Sequence, residues 1–377
     1  MQSCGTTLVS CGSLILSTRA PIGSLAIAEV SLCTNQGCKS LVPYPCTFSR
    51  FYAYILAINQ EELNIRGKGT TFLELSGDAL GEFELPVPSL AEQRAITAFL
   101  DAETARIEAL IAEYETLIEL LKEKRQALIS QAVTKGLNPD VPMKDSGVEW
   151  LGEVPEGWEV APLKHIVSTP ITDGPHETPT FYDEGIPFVS AEAVSSGFVD
   201  FTKIRGFISV EDNRKFSEKY KPARNDIYMV KSGATTGVTA IVEADDEFNI
   251  WSPLAVIRCN RDSSPRFVLN FMRSQNFQDA VTLNWSFGTQ QNIGMSVIKQ
   301  LSITRPPISE QHAIAAFLDA ETSRMDALVQ EAETGINLLR ERRMTLISDA
   351  VTGKIDVRCV AKTGAPVFVT NNKGGTQ

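Results

Sequence analysis

Residues 98–104 read Ala98-Phe99-Leu100-Asp101-Ala102-Glu103-Thr104, and residues 316–322 repeat all seven as Ala316-Phe317-Leu318-Asp319-Ala320-Glu321-Thr322. The likeness extends well beyond them. Residues 92–134 and 310–352 align without a gap at an offset of 218, and 28 of the 43 positions are identical. Glu92-Gln93 recurs as Glu310-Gln311, Leu128-Ile129-Ser130 as Leu346-Ile347-Ser348, and Ala132-Val133-Thr134 as Ala350-Val351-Thr352. Two copies so far apart are not a solenoid; they are a duplicated module with other chain between them.

Each copy reads as one long helix. Ile107, Leu110, Tyr114, Leu117, Leu121 and Leu128 follow steps of three and four, with Lys124 in the missing step. Met325, Leu328, Ala332, Leu339 and Leu346 match them, with Gly335 and Arg342 in the seam. That spacing is the coiled-coil signature. Ser89 and Glu92 form a possible capping box, with Pro307 at the equivalent place in the second copy. Gly136 and Gly353 stand where helices stop. A helix of this length spans roughly 60 Å, far beyond an ordinary core helix. Two such helices with matching seams most simply pair with each other, antiparallel, in a pseudo-twofold arrangement. Ile111, Ile118, Leu120, Val329, Ile336 and Leu338 widen the stripe. A second partner surface and a wider intrachain core both fit that widening.

The repeat continues weakly upstream. Thr18-Arg19-Ala20-Pro21-Ile22-Gly23 aligns with Ser232-Gly233-Ala234-Thr235-Thr236-Gly237, and strand-like runs flank both. These glycine loops read as tight turns joining two strands in preference to anion cradles. The fold class expected is α+β: two small β-rich α/β domains separated by two long antiparallel coiled-coil helices. The divisions are 1–87, a first domain; 88–136, a long helix; 137–157, an extended, semi-rigid linker with three prolines; 158–305, a second domain; 306–353, a second long helix; and 354–377, a flexible tail.

Composition sets bounds. The 377 residues are 43% hydrophobic and 21% charged, as in ordinary globular proteins, with length for two or three domains. No apolar run is long enough for a membrane span. The seven cysteines have no metal-ligand or CxxC spacing, so reduced, mostly buried thiols in a cytoplasmic protein are expected. No GxGxxG, P-loop or HExxH motif occurs, and His165, His176 and His312 form no catalytic or metal pattern. Asn284-Trp285-Ser286-Phe287 is only a distant likeness to an amino-methyltransferase tetrapeptide and lacks its prolines.

A net charge of -11 excludes a globally basic nucleic-acid binder but not a locally basic one. Residues 203–231 hold Lys203, Arg205, Arg214, Lys215, Lys219, Lys221, Arg224 and Lys231 against four acids, a local surplus of +4. Phe207, Phe216, Tyr220 and Tyr228 interleave with them. Cations of this kind contact phosphates without regard to sequence, while Gln290, Gln291 and Asn292 are of types that read base edges. A solvated face of mixed charge is the alternative.

Three segments carry a family resemblance: Leu85-Pro86-Val87-Pro88-Ser89-Leu90-Ala91-Glu92-Gln93-Arg94-Ala95-Ile96; Met143 through Trp158; and Pro306-Pro307-Ile308-Ser309-Glu310-Gln311. With the repeat, they make the chain resemble the specificity (S) subunit of Type I restriction-modification systems. The resemblance implies two target recognition domains, each reading half of a bipartite site in double-stranded DNA, with the helices as spacer and docking platform. It implies partners: modification (methyltransferase) subunits and a restriction motor-nuclease subunit. It implies no catalysis and no cofactor on this chain, with S-adenosylmethionine, ATP and Mg²⁺ used on other subunits. One departure stands out. By the offset, the first domain lacks more than fifty residues present in the second, including the counterpart of 203–231, and is expected to be N-terminally shortened, with residues 158–305 the competent reader. The rival reading is a truncated, non-catalytic interaction protein that docks the methyltransferase but reads half a site or none.

Overall fold

The computed structural model describes residues 7–19, 21–69, 73–194, 197–287, 291–357 and 367–368. The chain divides into two units, Met1–Leu117 with Gln330–Gln377, and Ile118–Val329. Two continuous helices, Leu90–Lys135 and Ile308–Val351, each contribute one part to each unit.

In the first unit the central strand Leu14–Ser17 pairs antiparallel with Leu25–Ile27 on one side and Cys38–Leu41 on the other. Helices Ser49–Ile58 and Gln60–Ile65 cover it, and Phe51, Ile55, Leu56 and Leu63 are buried. This core joins Leu14, Leu16 and Ile22 to Ile96, Phe99 and Leu100 of the first long helix and to Ile347, Ala350 and Val351 of the second.

The second unit repeats this motif. Ile227–Val230 pairs antiparallel with Thr239–Ile241 and Leu254–Ile257, and helices Pro265–Arg273 and Gln275–Leu283 follow. Phe267, Phe271 and Val281 take the places of Phe51, Ile55 and Leu63. It then adds what the first unit's described residues do not have. Thr172–Asp173 extends the sheet to four strands, and Ile186–Val189 builds a second sheet with Phe207–Ile208 and Asn249–Ile250. Glu159–Pro162 pairs with Ser302–Arg305.

The glycine loops are turns in both units. Gly23 and Gly237 both have positive φ, and a Cβ on either would strike the glutamine of the following helix, Gln60 or Gln278, at 2.6 Å. Those glutamines donate Nε2–H to the carbonyls of Ile22 and Gly237. In the second loop the amides of Gly233, Thr236 and Gly237 are already bonded within the protein, which leaves them unavailable to an anion.

The helix halves pair antiparallel within each unit. In the first, Glu108 meets Arg343 and Glu115 meets Arg340. In the second, Arg125 meets Asp326. The register differs from the expected seam. Ile107 and Met325 are buried, and Leu121, Leu128, Leu339 and Leu346 are half-buried, but Leu110, Leu117 and Leu328 are exposed and Tyr114 is at the margin. Ile118 and Ile336 occupy the contact line instead, with Ile111 and Val329 half-buried beside them. Both rows are apolar, so periodicity alone does not choose between them. Of the widening residues, the isoleucines and valine thus belong to the intrachain core, and Leu120 and Leu338 stay exposed.

Two expected irregular segments are folded. Residues 137–157 form the hairpin Met143–Asp145 with Glu153–Pro155, and Leu151 and Val154 enter the second unit's core. The expected tail starts inside the first unit's core: Ile355 and Val357 are buried, and Ile355–Asp356 pairs with Val367–Phe368. The thiols also depart from expectation, since Cys11, Cys33 and Cys46 are exposed; all five described cysteines are free. They lie outside the central strand of a sheet too small to enclose its own loops.

Candidate nucleic-acid interface

The second unit carries the basic stretch. Ser209 caps helix Val210–Ser217, its side chain accepting from Asp212 N–H. The helix turns Asn213 and Phe216 inward, which leaves Arg214 and Lys215 on the outer face. Asn213 is held by Asn249 at 3.0 Å and by Glu247 at 2.9 Å, fixing the helix against the second sheet.

The strand Ile227–Val230 separates Lys231, at the end that follows it, from Lys221 and Arg224 before its start, since four extended residues span roughly 13 Å, while Arg205, Lys215 and Lys219 are folded back to the Lys231 end. At the end that follows, Asp173 accepts from Lys219 at 2.6 Å and Lys231 at 3.2 Å, with His176 at 3.1 Å. Burial opposes ionisation of Asp173, but the two ammonium groups outweigh it and hold the carboxyl below its ordinary value. Lys215 pairs with Glu177 at 2.6 Å on the same loop. Pro175 accepts from Ser252 N–H, and next to Ser252 the Trp251 ring carries the Arg205 guanidinium 5.0 Å from its centroid. Arg205 also bonds Glu192, whose carboxyl is lowered despite burial by Ser190 and Arg205.

The polar pair Gln291 and Asn292 lies at this end. Ser232 bridges to Asn292, Gly233 N–H donates to the Gln291 carbonyl at 3.0 Å, and Ile293 N–H to the Lys231 carbonyl at 2.9 Å. Both side chains are exposed. Gln290 lies outside the described residues.

Lys221 and Arg224 stand at the opposite end. Arg224 pairs with Asp245 at 2.7 Å. Beside it the buried Asp226 accepts from Arg258 and Tyr220, the Tyr220 hydroxyl also bonds that of Tyr228 at 3.0 Å, and burial raises both phenols while Asp226 raises the Arg258 guanidinium. That network is structural. Lys203 pairs with Asp200 at 3.1 Å.

The charge surplus read along the chain is therefore largely cancelled in space. Asp173, Glu177, Glu192, Asp200 and Asp245 all lie outside 203–231 in sequence, and they pair six of its eight cations. Arg214 and Lys221 have no ion-pair partner among the described residues. A phosphate approaching here competes with carboxylates, while Arg214 is already exposed and free to meet it. Sequence reasoning missed Asp173, His176 and Trp251. Only Trp251, an aromatic near Arg205 in space but not in sequence, could complete a stacking surface, and no local pattern signals it. No group of three or more His, Cys, Asp or Glu among the described residues could hold a metal ion. No described helix is long and apolar enough to cross a membrane.

Comparison with known proteins agrees with this architecture. The family model described as Type I restriction modification DNA specificity domain matches residues 1–119 and 155–337. The Type I restriction enzyme EcoBI specificity subunit of Escherichia coli is 24% identical over 337 residues, covering 87% of this chain and 70% of that protein. The MjaIX specificity subunit of Methanocaldococcus jannaschii is 30% identical over 264 residues, 64% of this chain and 59% of its own length. Among solved structures, a chain of a type I R-M system studied for its assembly and conformational transition superposes with a TM-score of 0.72 at 17% identity, covering 92% of this chain and 83% of its own. The HsdS subunit from Thermoanaerobacter tengcongensis gives 0.54 at 17% identity, covering 92% and 82%. At such identity the structural likeness is one of fold. The family match spans well over half of the chain, and this protein belongs to the Type I restriction modification DNA specificity family.

Proposed function

We propose that this specificity-family chain selects the DNA site of a Type I restriction-modification complex, with residues 158–305 reading sequence. The observation that carries the proposal is the duplication. One α/β motif occurs twice, each copy packed on halves of the same two paired helices, in a chain matched by the specificity-domain family. The reading favours a DNA-selecting subunit over a protein that only docks a partner.

In this reading Arg214, Lys215 and Lys219 meet phosphates and position the second unit, and Gln291 and Asn292 face base edges. Asp173 sets the ammonium groups of Lys219 and Lys231 in place. The exposed Leu110, Leu117, Leu120, Leu328 and Leu338 supply helix surface for modification subunits. Methylation with S-adenosylmethionine, and ATP- and Mg²⁺-dependent cleavage, fall to the modification and motor-nuclease subunits. The complex acts in the cytoplasm.

The test is co-expression with a cognate modification subunit, followed by mapping of adenine methylation on a random-sequence plasmid library. A defined motif supports the reading, and a bipartite asymmetric motif would assign reading to both units. A half-motif or its palindrome would assign it to residues 158–305 alone. No methylation with the partner still bound would overturn the DNA-selecting role.

A further inference from the structure

In the second unit, three strand ends gather an arginine, a carboxylate and an indole. The strand Ile186–Val189 has Asn249–Ile250 parallel on one side and Phe207–Ile208 antiparallel on the other. The residues leaving the first two strands and those entering the third therefore meet at one sheet edge. They are Ser190 and Glu192, Trp251, and Arg205. Trp251 is fixed there. Its backbone N–H donates to the Val189 carbonyl at 2.9 Å, and its ring lies 6.4 Å from those of Phe181 and Phe188. The edge adjoins the Asp173 end of the unit, since Ser252 N–H donates to the Pro175 carbonyl and Lys231 N–H to that of Pro253. Lys231 is also where Gln291 and Asn292 are attached, through Ile293 N–H on its carbonyl.

Arg205 is held on two sides. Its guanidinium carbon lies 5.0 Å from the Trp251 ring centroid. Its Nε and Nη2 both donate to Glu192 Oε1, at 3.2 and 2.6 Å, and Ser190 Oγ donates to Glu192 Oε2. A guanidinium carries five N–H donors in a rigid fork and so presents more than one two-donor edge. Glu192 occupies the edge made by Nε and Nη2. The end-on edge, made by Nη1 and Nη2, has its Nη1 without an acceptor among the described residues. The Arg205 side chain is 49% exposed, which leaves that edge accessible.

We propose that Arg205 reads a guanine in the major groove through this end-on edge, with Glu192 and Trp251 as its positioning residues. The proposal rests on residues 158–305 being the sequence reader. Two parallel N–H donors match the O6 and N7 acceptors of guanine. Adenine sets an amino donor beside its N7, cytosine offers a donor, and thymine a single acceptor. A phosphate also takes a guanidinium edge. Here it would bring a second anion against Glu192, whereas a base edge carries no net charge. Lys215 differs from Arg205 in this respect. Its ammonium moves on a flexible stem and can leave Glu177 for a phosphate, while Arg205 is pinned by two hydrogen bonds and a ring. That pinning also reduces the rotamer freedom lost when the base is met.

The test uses the full chain in complex with its modification subunit. Adenine methylation is mapped on a random-sequence library, and binding is read on labelled DNA duplexes. The parent motif should hold one G·C pair that Arg205→Lys makes degenerate while every other position stays strict. Lysine keeps the charge and loses the two-donor edge, so the salt slope should match the parent's. The parent should bind a duplex with that pair changed to A·T about ten- to a hundredfold more weakly than the motif duplex, and R205K should bind the two alike. Glu192→Ala should relax the same position, less strongly. A strict motif in R205K overturns the inference while leaving DNA selection intact. Arg205→Ala that weakens binding equally on all sequences and lowers the salt slope would make the contact a phosphate, with the same consequence. Relaxation by E192A at another position, or at none, overturns the positioning. A parent complex without any motif would sink the underlying reading, and this inference with it.

Discussion

Gln93 and Gln311 make the same three hydrogen bonds in the two units. Gln93 Oε1 accepts from Phe48 N–H at 2.7 Å, and its Nε2 donates to the carbonyls of Cys46 and Pro88. Gln311 Oε1 accepts from Ser264 N–H at 2.8 Å, and its Nε2 donates to Asp262 and Pro306. Each glutamine is fully buried at the start of a long helix and locks the loop before the first domain helix to the loop before its own. The glutamine recurs because the joint it makes recurs.

Replacing Gln311 with Ala should destabilise the second unit by about 1–3 kcal/mol, since it strands a buried amide and two carbonyls. Gln93→Ala should do the same to the first. Urea unfolding measures both, and an unchanged midpoint in either variant would deny the joint its role.

Asp173 should make the second unit acid-sensitive. Its folded carboxyl is held below the ordinary value, so its contribution is complete above the unfolded value of about 3.9 and is lost as pH falls through the folded one. Asp173→Asn should therefore cost stability at pH 7, and the difference from the parent should shrink as pH drops below about 4. A difference independent of pH would place the effect in packing instead of charge.

Arg214→Ala should weaken DNA binding uniformly across sequences and reduce the slope of log K against log salt by about 0.9 for one lost phosphate contact. Arg224→Ala, beyond the far end of the strand and paired with Asp245, should leave the slope nearly unchanged. Equal losses would mean that DNA covers both ends of the strand. Lys219→Glu is a poor probe, because it sets a second carboxylate beside Asp173.

Cys259 should resist thiol reagents at pH 8. Burial, with Asp226 adding to it, pushes its thiol up to about 12, whereas Cys11, Cys33 and Cys46 are exposed. Native Ellman titration should modify these three rapidly and Cys259 only after unfolding, as peptide mapping would show. Rapid labelling of Cys259 would mean that the segment after strand Leu254–Ile257, bridged to Val167, opens readily.

The repeat, at an offset of 218 in the helices and weaker at 214 upstream of them, was sufficient by itself to indicate the two long helices, their antiparallel pairing and a β-rich motif in each unit, because like local patterns impose like local structure. Gly136 and Gly353 were legible as helix stops from their place after each helical run, and both take positive φ. The tertiary structure decided what local patterns leave degenerate. Leu110 and Ile111, or Leu117 and Ile118, are equally apolar neighbours on the helix, and only the partner helix selects which one is covered. The linker 137–157 is rich in proline, but its hairpin exists because Leu151 and Val154 find a core supplied by distant residues. Charge is the extreme case. Residues 203–231 carry a surplus of +4 along the chain, but Coulomb attraction acts through space, and folding brings Asp173, Glu177, Glu192, Asp200 and Asp245 against them.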